Sequence, residues 1–219
     1  MQEGTELTKR PLNETTIIHL VRHGHVHNPD KILYGRLPRF RLSDKGRRQA
    51  RAAGRFLSDQ PVRGVFSSPM LRARQTAGEI LTFFPDLTLR TSMWLNEVCT
   101  SYEGLPADQV DRRKGDIYTG SAACFEQPAD IFERVKKFFT RMRTQFTGRH
   151  VVAVSHGDVI TFSVLWAKRC ELTPANKGRL HQAGYGASYP AHASITSLVF
   201  ETPSEEERPV IYYHHPPDA

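Results

Sequence analysis

The chain has 219 residues, of which 39% are hydrophobic and 24% charged: enough apolar material for one domain with a sizeable core, and no apolar run near the ~20 residues of a bilayer-crossing helix. Three cysteines, Cys99, Cys124 and Cys170, without CxxC spacing exclude a disulfide framework and a zinc knuckle, and the polar opening MQEGTELTKRPLNETT has no secretory apolar region, so a cytoplasmic protein is expected. The formal charge of +7 is concentrated between Arg36 and Arg74, where eleven Lys and Arg face only Asp44 and Asp59.

Taken in chain order, residues 1–14 are expected to be a flexible segment. Thr16 to Arg22, rich in β-branched residues, predicts a buried strand stopped at Gly24. Ser43 reads as an N-cap for a helix to about Leu57 with Ala50, Ala53 and Leu57 on one face. Val62 to Ser67 is a second strand, and Ser68-Pro69 reads as a cap and first-turn proline for a helix to about Phe84. A strand is expected near Leu87 to Leu89. Residues 98–127 have no sustained period and read as an irregular lid or substrate wall. Ile131, Val135, Phe138, Met142 and Phe146 recur at helical spacing before the apolar strand Val151 to Val154. A helix from Asp158 to about Cys170 and strands Ile195 to Phe200 and Val210 to Tyr213 complete a single domain over residues 15–215, with a tail at 216–219. Alternating strands and helices predict an α/β fold, a three-layer α/β/α sandwich around a mostly parallel sheet of about six strands.

In such a sheet, ligands bind beyond the carboxyl ends of the strands. Three of those ends read Arg22-His23-Gly24, Ser67-Ser68-Pro69-Met70-Leu71-Arg72 and Ser155-His156-Gly157, so two arginines and two histidines are expected to converge on a pocket for a tetrahedral anion. Arginine suits that task because its planar fork binds phosphate oxygens in pairs. Gly24 and Gly157 are expected to let the chain turn and a ligand approach closely.

These segments, with Leu42-Ser43-Asp44-Lys45-Gly46, Leu95-Asn96-Glu97 and Ala193-Ser194-Ile195-Thr196, resemble in order the histidine phosphatase superfamily, which includes the cofactor-dependent phosphoglycerate mutases. The resemblance implies a phosphoglycerate mutase-like fold with His23 as the phosphoryl-accepting nucleophile. Arg22, Arg72 and His156 would then grip the phosphate and Glu97 would donate a proton to the leaving oxygen, with Glu103 as the fallback acid. Asn28, Gly157 and Arg36 are further candidate phosphate or substrate contacts. Arg36, Arg39 and Arg41 are positioned for a second anionic group, and Tyr34, Phe40, Trp94 and Tyr102 for apolar contact.

Residues 98–127 are shorter than the insertion of a glycolytic mutase, which favours a phosphatase releasing phosphate from a small metabolite without cofactor or metal. Three alternatives remain: a mutase-like phosphotransferase, a non-catalytic phosphate-ligand binder, and a metal-dependent hydrolase. The last rests on His23, His25 and His27, since alternating histidines at a strand end are also a zinc-binding pattern. No zinc-finger, RNP or basic-zipper pattern accompanies the basic segment, so neither a specific nucleic acid nor a membrane is an expected partner.

Overall fold

The computed structural model describes residues 15–217 apart from residues 203 and 205; the expected flexible segment 1–14 and the last two residues of the tail lie outside them. The sheet comprises β1 (Thr16–Arg22), β2 (Val62–Ser67), β3 (Leu89–Thr91), β4 (His150–Ser155), β5 (Ile195–Phe200) and β6 (Val210–His214), in the order β3-β2-β4-β1-β5-β6. The first four in that order are parallel to their neighbours, while β5 runs antiparallel to β1 and to β6. The fold is thus the expected α/β architecture with a mostly parallel six-stranded sheet. Among the described residues, no helix is long and apolar enough to cross a membrane.

Helices cover both faces. Along β1 and β4, alternate side chains separate: Ile18, Leu20, Val151 and Ala153 join the core beneath α4 (Pro128–Gln145) and α5 (Gly157–Ala167). Val21, Val152 and Val154 join Ala53, Leu57, Ala73 and Ile80 of α1 (Asp44–Leu57) and α2 (Leu71–Leu81). A strand buried on both faces has no polar side to show, which is why β4 reads as an unbroken apolar run. Each such Val, Ile or Leu contributes about 1.5–3 kcal/mol of burial.

The Ser43 hydroxyl caps α1 by accepting from Gly46 N. The second expected cap differs: α2 starts at Leu71, behind Met70, and ends three residues earlier than Phe84. Ser68 is drawn instead toward His156, 2.8 Å from Nε2. The chain between β3 and α4 contains the six-residue α3 (Ala107–Arg112), and the four-residue α6 (Pro174–Lys177) follows α5. Neither has a buried residue, and so neither has the periodic apolar face by which a helix is recognised in sequence.

Parallel pairing brings the working ends together. Arg22 is level with Ser155 and Ser67 with Val154, so the residues after β1, β2 and β4 emerge side by side.

Candidate active site

His23 leaves β1 with its backbone N–H on the Ser155 carbonyl, 3.0 Å away. Its ring is 2% exposed, and Nδ1 lies 2.9 Å from the Gly24 carbonyl. A carbonyl only accepts, so Nδ1 carries the ring proton and Nε2 keeps the lone pair. Burial, reinforced by Arg72, His156 and Arg22, holds His23 well below the usual imidazole range. The ring is therefore neutral near pH 7.

Arg72 stands on the first turn of α2 and is 1% exposed. Its Nη2 donates to the Gly35 carbonyl at 2.8 Å and to Glu97 Oε2 at 3.1 Å, and its guanidinium lies 4.6 Å from the Tyr34 ring centre. Arg22 donates to the Pro190 carbonyl at 2.7 Å and lies against Tyr189. Each guanidinium keeps a buried Nε–H without a partner among the described residues. Both guanidiniums act electrostatically on His23, and two cations with unpartnered N–H groups beside one imidazole suit an anion such as phosphate.

His156 is fully buried and serves as the N-cap residue of α5, whose N-terminal dipole adds to the positive potential. Its Nδ1 lies 3.1 Å from Glu97 Oε2. The carboxylate takes the Nδ1 proton as a hydrogen bond and leaves Nε2 to accept from the Ser68 hydroxyl. Burial lowers His156 to about 4 although Glu97 opposes the shift. For Glu97, burial acts upward, but His156 and Arg72 outweigh it and hold the carboxyl well below its ordinary value.

The remaining candidates are placed differently. Asn28 lines the cavity beside His23, and its side-chain amide is bonded to the backbone of Ile32. The Arg36 guanidinium turns from the cavity to Glu126 at 2.8 Å and the Glu97 carbonyl at 2.7 Å. Glu103 accepts from the Arg36 backbone N–H at 2.6 Å, which fixes the 34–36 turn instead of reaching the imidazoles. Gly24 and Gly157 do admit close approach, though the visitor is protein: a Cβ on Gly24 would overlap the Gly46 carbonyl, and one on Gly157 the Tyr189 hydroxyl.

His25 and His27 do not join His23. The chain leaves β1 at Arg22, so the i, i+2 alternation of a strand is lost. His25 Nδ1 lies 2.8 Å from the Ser43 hydroxyl, and its backbone N–H is held by Gln49. The set among the described residues with mutual spacing fit for a cation is instead His23, Glu97 and His156, whose ligand atoms lie within 4.8 Å of one another.

Several site residues escaped sequence reasoning. Asp158, buried behind Gly157, accepts from the Tyr118 and Tyr189 hydroxyls and pairs with Lys177 at 2.7 Å. Glu126 holds both Arg36 and Arg134, and Arg134 also donates to the Trp94 and Glu97 carbonyls. Asp158 directly follows His156-Gly157 and was findable as the first carboxylate of α5. Glu126 and Arg134 carry no such signal.

This sheet, with a buried histidine pair and two arginines at its carboxyl edge, is that of an α/β protein with its candidate site at the strand ends, and the chain belongs to the histidine phosphatase superfamily (branch 1), whose family model matches residues 18–198. Its relatives include the uncharacterized protein Rv0525 of Mycobacterium tuberculosis, 36% identical over 86% of this chain and 92% of that one. The fructose-2,6-bisphosphatase TIGAR of Xenopus laevis is 48% identical, but over only 28% of this chain and 23% of its own. Among solved structures, mycobacterial glucosyl-3-phosphoglycerate phosphatase Rv2419c shares the fold, with a TM-score of 0.74 at 23% identity over 92% of this chain and 99% of that one.

Proposed function

We propose that the protein is a phosphatase that releases phosphate from a small phosphorylated metabolite through a covalent phosphohistidine on His23, without a metal ion. The observation that carries this reading is the contact of His23 Nδ1 with the Gly24 carbonyl at 2.9 Å: it puts the ring proton on Nδ1 and leaves Nε2 a free nucleophile between the Arg22 and Arg72 guanidiniums. The named phosphatases among its relatives support the same reading.

The phosphoryl oxygens take N–H groups of the Arg22 and Arg72 guanidiniums, and the His156 Nδ1–H turns to them from Glu97 as that carboxylate is neutralised. Bound phosphate offsets the positive surroundings that keep Glu97 ionised, and its carboxylate takes the proton of the monoanionic ester, leaving the ester as the dianion. His23 Nε2 then attacks phosphorus in line, the ester P–O bond breaks, and Glu97 gives its proton to the leaving oxygen. In the second half, the Glu97 carboxylate takes a proton from water, the water oxygen bonds to phosphorus, and the N–P bond breaks to restore neutral His23. Positioning and fixed positive charge supply most of the rate enhancement. The wall formed by residues 98–127 shields the ester from bulk solvent. The three free cysteines suit a reducing, cytoplasmic setting.

A second reading places a divalent cation on His23, Glu97 and His156, as their spacing would allow. Two adjoining guanidiniums favour an anion there instead. Brief exposure to substrate followed by alkaline quench and intact-mass measurement should show a phosphoryl adduct that is lost in acid and absent from His23→Ala. Turnover should also continue in excess chelator. Loss of activity with chelator and its rescue by zinc would establish the second reading.

A further inference from the structure

The cavity in front of His23 has a volume of about 250 Å³. The apolar part of its lining is Ile32, Leu33, Val98, Ala107, Val110 and Ile117, and the uncharged polar side chains are Asn28, Tyr34, Thr100 and Tyr189. Its charged lining is Arg22 and Glu97, already assigned to the phosphoryl group, and the Asp158–Lys177 pair. Lys177 is largely committed: Nζ lies 2.7 Å from Asp158 Oδ2, which matches its charge, and donates to the Gly115 carbonyl at 2.9 Å, leaving one of its three N–H donors. Asp158 beside it would repel a carboxylate or second phosphate. The arginine that the sequence offers for such a group, Arg36, is held by Glu126 outside the cavity, and Arg39 and Arg41 are exposed.

From this lining we infer that the substrate is a phosphate monoester of an alcohol with a compact, largely apolar body, and that bisphosphates and phosphorylated carboxylates are poor substrates. The inference rests on the phosphatase reading above and specifies the substrate class of that site. An unpaired anion pressed against six apolar side chains loses its hydration without compensation, whereas each methylene buried there strengthens binding roughly fourfold. The tyrosine-held Asp158–Lys177 pair leaves room at the polar end for one hydroxyl or carbonyl of the leaving group.

The test uses the full chain and monoesters of primary alcohols with similar leaving-group basicity: 3-phenylpropyl phosphate, glycerol 3-phosphate, and fructose 1,6-bisphosphate, beside 3-phosphoglycerate as the carboxylate. Competitive inhibition by inorganic phosphate is measured in parallel as an independent reading of the phosphate site. The expected result is a kcat/KM for 3-phenylpropyl phosphate about 100-fold above that for 3-phosphoglycerate, with most of the difference in KM. Val110→Lys, which places a cation on the half-buried face of α3, should narrow that ratio about tenfold and leave phosphate inhibition unchanged. A wild-type preference for 3-phosphoglycerate or the bisphosphate, with phosphate still inhibiting, would overturn the inference and leave the phosphatase reading standing. No turnover of any ester would overturn both.

Discussion

Glu97 and Glu103 are six residues apart and carry the same carboxyl group, yet their surroundings assign them different work. Glu97 touches His156 and Arg72; Glu103 is tied to the backbone of Arg36. If Glu97 protonates the leaving oxygen, Glu97→Gln should lower kcat on an alkyl phosphate by about 10²–10⁴. The loss on 4-nitrophenyl phosphate should be far smaller, since nitrophenolate departs without a proton. Glu103→Gln keeps an acceptor for Arg36 N–H and should remain within a few-fold of wild type on both esters; equal losses in the two variants would reverse the assignment. Gly157 makes a different residue-scale point. A methyl group there must displace Tyr189 from Asp158, so Gly157→Ala should cost about 1–3 kcal/mol of stability, readable as a lowered urea midpoint with unchanged slope.

At the scale of elements, the loop that carries Glu97 is held by a clamp drawn from three segments. Glu126, just before α4, binds Arg36 from the loop after β1 and Arg134 from α4, and both arginines donate to the Glu97 carbonyl. Glu126→Gln should therefore loosen Glu97 without touching the phosphate site. The expected outcome is a loss of about 1–3 kcal/mol in unfolding free energy and a fall in kcat with little change in inhibition by phosphate. Weakened phosphate inhibition would mean that the clamp supports Arg72 instead. The elements themselves were unevenly legible. The period-3.6 face of α4 and the β-branched runs of β1 and β4 stand out because burial demands them. The edge strand β3 lies two residues beyond the expected Leu87–Leu89, because one half-buried and two exposed residues carry little pattern. Helix α5 ends at Ala167 instead of near Cys170; Arg169 adopts a left-handed φ of 57° that stops it.

Across the whole molecule, buried neutral histidines set an acid limit on stability. His19, packed between Ser197 and His150 on β1, is lowered by burial to about 3, and His156 to about 4. Between those values and 6.5, the unfolded chain binds protons that the folded protein refuses, so stability rises with pH across that window and is lost as pH falls through it. Together these groups contribute several kcal/mol, to order of magnitude. Below about 4.5, protonation of Glu97 in the unfolded chain removes more, since its folded-state pKa is depressed. Urea midpoints should be flat from pH 8 to 7 and decline steadily below 6.5. His19→Leu, remote from the cavity lining, should flatten part of the decline while leaving turnover at neutral pH intact. A wild-type midpoint that holds steady down to pH 4.5 would contradict the burial of these imidazoles.

The alternation of strands and helices, and the order in which Arg22, His23, Arg72, Glu97 and His156 appear, were legible along the chain, because periodicity and strand-end motifs are local properties. Partnerships were decided only by the tertiary structure. Arg36, expected at a second anionic group, is claimed by Glu126, ninety residues away, and Ser68 by His156 instead of by the helix it precedes. His25 and His27 part from His23 once the strand ends. The apolar character of the cavity likewise comes from Ile32, Val98, Val110 and Ile117, which lie in three loop and helix segments without a shared period. A side chain with several available partners is settled by which of them folding brings within about 3 Å, and that distance is a property of the packed chain alone.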